Sequence, residues 1–495
     1  MAIDVDTLQL GPWTGGVWYS RAVEDVEPSA LSEMGNMRIG GSGQLLTRPG
    51  TASYQGASAL SGTPTLTSIG SFRKNASTKY TFLTAGTTLQ YYNSGWSNIT
   101  GSTTITAGND NTFEWANCNG TLVLTNGVDT DAIKWTGTGN ASALDDNARF
   151  TKAAHTAWFD NRLWMGNVNG ATGQLWYSDI ADIETWGATS FYNFGFEITA
   201  VTPTQNALVV HTVGGIFTLI PTGNNILPYH RQQRTTEGAI GGRAVVSLPD
   251  DTQLFILNDG IYKWSGGANV EKISYQLDDG WWPNVETSRL EQAHALYYPD
   301  MNEVWFFLPY GASQQKPNKL MIYNTHFNCW VGPWDGWDRN CSALINDLPH
   351  AGDYGGFLYD HASGTSDSGT AIPWFFETGA PAPYGSDVRC RWRYARTYLD
   401  GVGDWSVAIV QESSGLIGTT NNLSLRSNSF ILGTSVLGTD SLGGVRMIAR
   451  DTNLSGYDPQ SSLKYSNAGL DQPGTFRRLH LQYTPLGRKR RKTRV

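Results

Sequence analysis

The last eight residues hold the densest charge in the chain. Six of them are basic, namely Arg488, Lys489, Arg490, Arg491, Lys492 and Arg494. Such a run could bind the phosphates of DNA, because each neutralised phosphate releases counterions. It could equally contact an acidic groove on a protein partner, or remain a solvated charged end. No aromatic residue interrupts the run, so we do not expect it to recognise bases.

Paired carboxylates would indicate glycoside hydrolysis, in which two of them act across the scissile bond. Four candidates are available, although their spacing singles out no pair: Asp300, Glu303, Asp335 and Asp338. The segment Thr365-Ser366-Asp367-Ser368-Gly369 begins like the Asp-box of sialidase propellers. The next tryptophan, Trp374, comes two positions late, and the motif occurs once. A polar turn is therefore the preferred interpretation.

Other patterns of catalytic or metal-binding residues are missing from the sequence. The eight histidines are scattered singly, and the four cysteines form no CxxC pair: Cys118, Cys329, Cys341 and Cys390. This disfavours a zinc site. Cys329 and Cys341 could form a disulfide, but buried free thiols are the preferred interpretation. We predict a protein that is not an enzyme and that carries no metal or cofactor.

The charge balance describes an acidic body with a basic end. The 495 residues carry a net charge of −8, and subtracting the six positive charges of the tail leaves −14 for residues 1–487. An acidic body disfavours a nucleic-acid-binding face spread over it. The N-terminus lacks the pattern of a secretory signal. No apolar run approaches the ~18–20 residues of a membrane span, so we expect synthesis in a cytoplasm.

The elements that must position these residues repeat along the chain. Short apolar segments with aromatic ends recur, and their first residues lie 44, 42, 41, 45, 59 and 37 positions apart. A unit of roughly 40–50 residues is typical of a β-propeller blade, and Gly-rich and Asn-rich turns favour short strands. We predict an all-β, irregular propeller of about 6–7 blades. The segments are Leu89–Tyr92, Ile133–Trp135, Leu175–Tyr177, Ile216–Thr218, Ile261–Trp264, Leu320–Tyr323 and Phe357–Tyr359.

The repeat divides the chain into four parts. Residues 1–55 lack the blade pattern and are predicted to form an extended N-terminal arm. Residues 56–380 are assigned to the propeller, and the long interval is attributed to an insertion around Trp330, Trp334 and Trp337. In residues 381–487, Arg alternates with apolar residues as in half-buried strands, which predicts a β-sandwich-like domain. The basic tail occupies residues 488–495.

The order of these parts, and one motif, resemble a known family. The arm contains an Asn, a spacer and then Gly-x-Leu-x-x-Arg-Pro-Gly, at Asn36, Gly43, Leu45, Arg48, Pro49 and Gly50. The segments 159–166 and 175–179 also look like a blade of that family. The chain thus resembles the tail hub or nozzle proteins of short-tailed bacteriophages, which include packaged-DNA stabilisation proteins. The insertion and the basic tail depart from the family pattern.

The resemblance implies a structural virion protein of the viral tail. It implies a ring, a homohexamer, below the portal and adaptor proteins, which retains packaged double-stranded DNA without sequence specificity and conducts it during ejection. It also implies attached tail fibre, tailspike or needle proteins. An acidic body suits a channel through which DNA must slide. The alternative is a propeller glycosidase or a carbohydrate-binding propeller for host-surface glycans, with Trp281, Trp282, Trp334 and Trp337 exposed for stacking.

Overall fold

In the computed structural model, residues 5–145, 149, 151–224, 226–400, 406–413, 416–417, 421–424 and 447–486 are described. This part of the chain consists of β-strands joined by turns and 3-10 segments. Many turns contain residues with positive φ, such as Asp160 and Asn161 (φ 52° and 54°). Two successive positive φ values suit a tight hairpin whose twist matches its strands. The all-β prediction is confirmed.

Six short strands precede the repeated part. Each belongs to a sheet that is completed by strands from later in the chain, so the predicted arm is extended in conformation and paired along its length. Two 3-10 segments, Val23–Asp25 and Tyr54–Gly56, lie among these strands. The strands are β1 (Asp6–Leu10), β2 (Gly16–Val17), β3 (Ala30–Gly35), β4 (Met37–Ile39), β5 (Leu45–Thr47) and β6 (Ala52–Ser53).

The described residues between 66 and 360, with β6, form seven four-stranded antiparallel sheets. The first four sheets use consecutive strands. They are β7 (Leu66–Arg73), β8 (Lys79–Ala85), β9 (Thr88–Tyr92) and β10 (Trp96–Asn98); β11 (Glu114–Cys118), β12 (Thr121–Thr125), β13 (Ile133–Trp135) and β14 (Ser142–Ala143); β15 (His155–Phe159), β16 (Arg162–Val168), β17 (Ala171–Tyr177) and β18 (Phe191–Asn193); and β19 (Ile198–Pro203), β20 (Leu208–Thr212), β21 (Gly215–Pro221) and β22 (Tyr229–Gln233).

The last three sheets follow the same plan. They are β23 (Val245–Ser247), β24 (Gln253–Leu257), β25 (Gly260–Trp264) and β26 (Glu271–Lys272); β27 (His294–Tyr298), β28 (Glu303–Leu308), β29 (Lys319–Asn324) and β30 (Cys329–Trp334); and β31 (Arg339–Ile345), β32 (Leu348–Asp353) and β33 (Leu358–Asp360), with β6 as the fourth strand. Short 3-10 segments flank these strands at Gly242–Ala244 and Pro299–Met301.

The seven sheets close into a ring, so the fold is a seven-bladed propeller. The first strand of each blade packs against the first strand of the next, and β31 of the seventh blade packs against β7 of the first. Ala52 and Ser53 pair with Asp360 and Tyr359, so the N-terminal segment supplies the outer strand of the last blade. This pairing joins the two ends of the propeller across more than 300 residues of chain.

The seven aromatic-ended segments predicted from the sequence all fall on the third strands of the seven blades. The insertion was placed wrongly. Trp330 and Trp334 lie in β30, the fourth strand of blade six, and the additional residues lie between β26 and β27. Three 3-10 segments fill that connection, at Tyr275–Leu277, Trp282–Asn284 and Thr287–Gln292.

Two further sheets pack face to face as a β-sandwich beside the propeller. Tyr465 of one sheet meets Phe476 of the other with ring centroids 5.7 Å apart, and the hydroxyls of Tyr465 and Thr397 lie 2.8 Å apart across the layers. The additional strands are β34 (Trp374–Thr378), β35 (Cys390–Asp400), β36 (Ser406–Ser413), β37 (Leu416–Ile417), β38 (Asn421–Ser424), β39 (Met447–Asn453), β40 (Tyr457–Asp458), β41 (Ser462–Asn467) and β42 (Thr475–Pro485).

Both layers of the sandwich combine strands from the two ends of the chain. One sheet has the order β39-β35-β42-β5-β4, with β1 on β42 and β40 on β35; the other has the order β2-β3-β34-β41-β36-β37, with β38 on β36. One apolar cluster then continues from the sandwich into blades five and six, and includes Leu31, Leu479, Trp305 and Ile256. Sandwich and propeller therefore share a core.

Candidate functional site

The arm motif builds a polar cluster at the junction of the propeller and the sandwich. We call Asn36, Arg48 and Asp367 the latch. Asn36 takes a left-handed conformation (φ 54°), which asparagine tolerates better than most residues. Its Nδ2 donates to the carbonyl of Pro373 (2.7 Å). Its Oδ1 accepts from Arg48 Nε (2.8 Å) and from the backbone N–H of Asp335 (2.9 Å).

Arg48 makes the strongest contact of the latch. Its guanidinium donates to both carboxylate oxygens of Asp367, over 2.9 and 2.5 Å, and lies 4.5 Å from the centre of the Trp337 ring. The side chain is 1% exposed. A planar guanidinium suits this bidentate geometry. The Asp-box-like segment is thus a turn held by Arg48, in agreement with the preferred interpretation.

The other motif residues provide close packing rather than chemistry. A Cβ on Gly50 would lie 2.1 Å from the carbonyl oxygen of Ser366, so only glycine fits between the two segments. Gly43 has φ +76°, and a Cβ there would approach Pro12. Leu45 is fully buried in β5, and the carbonyl of Pro49 accepts from Arg48 (3.1 Å). All six motif positions therefore hold the arm in place.

Three of the four carboxylates considered for hydrolysis are held in ion pairs. Glu303 is buried and forms a two-pronged contact with Arg38, over 2.7 and 3.2 Å. The Nε1 of Trp305 also donates to Glu303 (2.9 Å). Asp335 is paired with Lys319, and Asp338 with Lys316. The four tryptophans proposed for stacking on glycans are buried in the apolar cluster that the sandwich shares with blades five and six: Trp281, Trp282, Trp334 and Trp337.

A polar cavity lies on the propeller axis. Its volume is about 260 Å³, and we call it the axial cavity. It was not expected from the sequence, because its residues are spread over more than 270 positions. The innermost strands of all seven blades contribute one or more lining residues each, represented by Ser68, Glu114, Thr156, Val201, Val245, His294 and Ser342.

Glu114 and Arg243 are the charged residues that line this cavity. Glu114 and His155 form a pair, with Oε1 and Nδ1 2.9 Å apart. Burial lowers the pKa of His155, but the Glu114 carboxylate, the Ile198 backbone and the Glu197 charge together outweigh this effect, and the pKa stands above its ordinary value. A Cβ on Gly242 would lie 1.8 Å from Glu114 Oε1, so this glycine permits the close approach. Arg243 follows Gly242, and burial lowers the pKa of its guanidinium.

Three other residues that line the axial cavity have buried polar atoms without a hydrogen bond to the described residues. His294 is 2% exposed and stacks on Phe307, with ring centroids 4.4 Å apart. Neither of its nitrogens makes a hydrogen bond to the described residues. Burial and the nearby Arg243 charge lower its pKa well below the ordinary value, so the ring is neutral. The hydroxyls of Thr156 and Ser342 also have no partner in this part of the chain.

A larger depression of about 690 Å³ lies between blades three and four. Asp160 is the charged residue that lines it, and the Tyr229 hydroxyl already donates to this carboxylate (2.8 Å). The axial cavity therefore holds the more reactive set of groups. Within the described ranges, no group of three or more His, Cys, Asp or Glu side chains could hold a metal ion.

The remaining sequence-based expectations have different outcomes. All four cysteines are buried and unpaired, which confirms the preferred interpretation. Burial raises the pKa of Cys118, Cys329 and Cys341 to about 12, so these thiols are unreactive. A search of the described residues found no helix with the length and apolar character to cross a membrane. The basic residues 488–494 lie outside the described part.

Of the comparisons with known proteins, the one with solved structures gave matches. No protein-family model and no curated sequence matches the chain. The match with virginiamycin B lyase from Staphylococcus aureus has 11% sequence identity and a TM-score of 0.42. It covers 63% of this chain and 97% of the lyase chain. The match with BamB from Moraxella catarrhalis has 11% sequence identity and a TM-score of 0.40. It covers 72% of this chain and 95% of the BamB chain. At this level of similarity we draw no functional conclusion from either protein.

Proposed function

We propose that this protein is a structural component of a virus tail, a nozzle or hub ring below the portal and adaptor. In this role it retains packaged DNA, conducts it during ejection and carries fibres, spikes or a needle. The observation that supports the proposal best is the latch. The residues that carry the family resemblance, from Asn36 to Gly50, are those that fasten the sandwich to the propeller.

A part of a tail that transmits force benefits from such a connection. The N-terminal segment pairs with both sheets of the sandwich and also completes the last blade. Separation of the two domains would therefore break strand pairing as well as the Arg48–Asp367 ion pair. A shared apolar core adds to this connection. Rigid subunits of this kind suit a closed ring of identical copies.

In this proposal, the DNA channel lies between subunits rather than inside one. The axial cavity, at about 260 Å³, has room for roughly nine waters at about 30 Å³ each. A duplex, with a major groove about 12 Å wide, cannot enter it. The acidic body of the chain favours passage of DNA along a channel wall, because like charges disfavour adsorption.

The glycosidase alternative has weaker support. Hydrolysis of a glycosidic bond generally uses two carboxyl groups about 5–9.5 Å apart. Among the described residues that line the axial cavity, Glu114 is the one carboxylate, and it is paired with His155. The carbohydrate-binding alternative loses its proposed platform, because the four tryptophans are buried. The remaining support for both alternatives is the propeller architecture, and proteins with many unrelated functions share this architecture.

The mass of the purified full-length chain tests the proposal. It should be measured by light scattering, alone and after mixing with a portal–adaptor complex, and the particles should be imaged in negative stain. A closed ring, formed alone or on the adaptor, is the expected result. A monomer that does not bind the portal–adaptor complex would contradict the proposal. Hydrolysis assays on surface glycans would then be the next experiment.

The basic tail can be tested in the same assay. Deletion of residues 488–495 removes six positive charges without touching the described strands. We expect the deleted protein to fold as the full chain does and to dock more weakly on the adaptor. The thermal unfolding curve serves as the control for folding. An unchanged yield of assembled complex would show that the tail has no part in docking.

A further inference from the structure

One outer face of the sandwich carries a set of arginines that the proposed function does not use. Alternate side chains of β35 and β42 point into the sandwich core, such as Trp392 and Leu481, which are 1% and 0% exposed. The side chains between them face outward. A β-bulge between Trp392 and Tyr394 shifts the pairing with β42, so arginines on both sides of the bulge share the outer face. We call four residues the arginine face: Arg391, Arg393, Arg396 and Arg478.

Most of these cations lack a counterion. Arg396 is paired with Asp451, over 2.7 and 2.8 Å. The other three guanidinium groups form no ion pair with a carboxylate of the described residues. Subtracting the one negative charge of Asp451 from the four arginine charges leaves +3 here, whereas residues 1–487 carry −14 in total. The arginine face is therefore a basic surface on an acidic body.

Neighbouring side chains orient the unpaired arginines. Arg393 Nε donates to the Thr484 hydroxyl (2.7 Å). The Arg478 guanidinium lies 4.6 Å from the centre of the Tyr398 ring, and His480 packs against the same ring, with centroids 4.8 Å apart. The Tyr398 ring is thus engaged within the protein, which favours contacts to phosphates over stacking on bases. Oriented, planar guanidinium groups suit phosphate oxygens, and phosphate contacts carry no sequence information.

The basic tail follows from the same part of the sandwich. Leu486, the last described residue, donates its N–H to the Arg389 carbonyl (2.8 Å), and Thr484 pairs with Arg391. The first basic residue of the tail, Arg488, comes two positions later. A polyanion on the arginine face would therefore meet further positive charge close to the edge of that face.

We propose that the arginine face binds the phosphate backbone of double-stranded DNA without sequence specificity. Arg391, Arg393 and Arg478 supply the unpaired charges, and the release of counterions from the phosphates drives binding. The acidic remainder of the body disfavours contact elsewhere, so DNA is held at this face. The identification of this DNA as the packaged genome rests on the proposed function, in which the contact contributes to retention.

Fluorescence anisotropy of a short labelled DNA duplex, titrated with the full-length chain, tests the inference. The affinity should fall between about 50 and 200 mM salt, and each phosphate contact should add about 0.9 to the slope of log affinity against log salt. Two duplexes of unrelated sequence should bind equally. Absence of binding at about 50 mM salt would overturn the inference. Equal affinity for poly-glutamate would also overturn it, because that result indicates an acidic protein as the partner.

Variants locate the binding. Arg391→Gln combined with Arg478→Gln removes two unpaired charges and should lower the slope by about 1.8. Arg73→Gln combined with Lys79→Gln is the matched control, because it removes two exposed charges that face each other across β7 and β8. This control should leave the slope unchanged, and thermal unfolding curves check that both variants fold. An equal slope for the two double variants would refute the inference.

Two further comparisons separate the arginine face from the tail and from the proposed function. The difference between the double variants should persist in the chain without residues 488–495, and its loss there would assign binding to the tail and overturn the inference. Ring formation is measured separately. A monomer that binds DNA through the arginine face would contradict the proposed role in a virus tail and support this inference. A closed ring whose DNA binding is unaffected by the substitutions would do the reverse.

Discussion

The latch and the axial cavity both place polar and charged side chains in protected positions, but they satisfy those side chains differently. In the latch, Asn36 uses both of its amide atoms, and Arg48 meets a carboxylate with two of its nitrogens. Around the axial cavity, Arg243 donates to backbone carbonyls, while His294 and the Thr156 hydroxyl make no hydrogen bond to the described residues.

The difference separates polar groups that stabilise the fold from buried polar groups that lower its stability. An unpaired buried polar atom costs free energy that folding must recover elsewhere. A cluster without orphan atoms, such as the latch, therefore contributes to the stability of the fold. A region with several buried orphan atoms lowers the stability of the fold. Substitutions in the two regions should accordingly have opposite consequences.

Substitution of Arg48→Ala should produce the largest loss of stability. It removes the cation that both carboxylate oxygens of Asp367 contact and one of the two donors to the amide oxygen of Asn36, at a site where the arginine side chain is 1% exposed. Breaking one side of a buried pair costs about 3–5 kcal/mol. The free energy of unfolding should be measured by urea denaturation. Arg21→Ala is the matched control, because its ion pair with Glu27 is largely exposed and should contribute less than about 1 kcal/mol.

The buried His211 makes the stability of the protein depend on pH. His211 is buried and has partners on both nitrogens, Gln253 at 2.8 Å and the N–H of Ala239 at 3.1 Å. Burial lowers its pKa to about 4. In the unfolded chain the pKa is near 6.5, so the unfolded state binds more protons between pH 6.5 and 4. Stability therefore falls as the pH is lowered through this window, by about 3 kcal/mol in total.

Replacement of this histidine should remove that pH dependence. Urea denaturation at pH 7.5 and pH 4.5 should show a smaller difference for His211→Asn than for the wild type. His326→Asn, at an exposed position, provides the control and should keep the wild-type difference. An equal difference in all three proteins would mean that His211 takes up its proton as readily in the folded as in the unfolded state, so that folding does not lower its pKa.

The glycine of the latch predicts a smaller effect. Gly50→Ala forces a Cβ to within 2.1 Å of the Ser366 carbonyl oxygen, a backbone atom that cannot move aside alone. Overpacking of this kind costs about 1–3 kcal/mol. Gly41→Ala, in the same arm, meets nothing within 4 Å, and it should leave stability unchanged or raise it by up to about 1 kcal/mol. Similar unfolding curves for the two variants would contradict the packing described here.

The propeller could be predicted from the sequence because its signal is local and repeated. The aromatic-ended segments lie on the third strands of the blades, such as β25 (Gly260–Trp264), and their spacing predicted the unit length and about 6–7 blades, of which the structure has seven. Tight turns such as Asp160–Asn161 could be predicted because they use residue types that are typical of turns. The insertion was placed wrongly because the residues between β26 and β27 form 3-10 turns that have no periodic pattern.

The pairings between distant segments could not be predicted in this way. The pairing of β6 with β33 and of β1 with β42 joins residues more than 300 positions apart. The sequence of one strand does not identify the strand with which it pairs. The axial cavity was missed for the same reason, since each blade adds one or two polar residues to it. The motif from Asn36 to Gly50 was visible, but its role in packing depends on Asp367 and Ser366, which the sequence did not connect to it.

The smallest effect provides the sharpest test of the comparison between the two regions. Thr156→Val removes a buried hydroxyl that has no protein partner, and Thr212→Val removes one that donates to the Gly215 carbonyl (2.9 Å) and accepts from the Gly214 N–H (3.2 Å). Unpairing those backbone groups should cost about 1–3 kcal/mol, whereas Thr156→Val should stay within about 0.5 kcal/mol of the wild type or stabilise the protein. Urea denaturation in chloride buffer measures both. A loss at Thr156 as large as that at Thr212 would mean that the axial hydroxyl is already satisfied in the folded chain, and the distinction between latch and cavity would fail there.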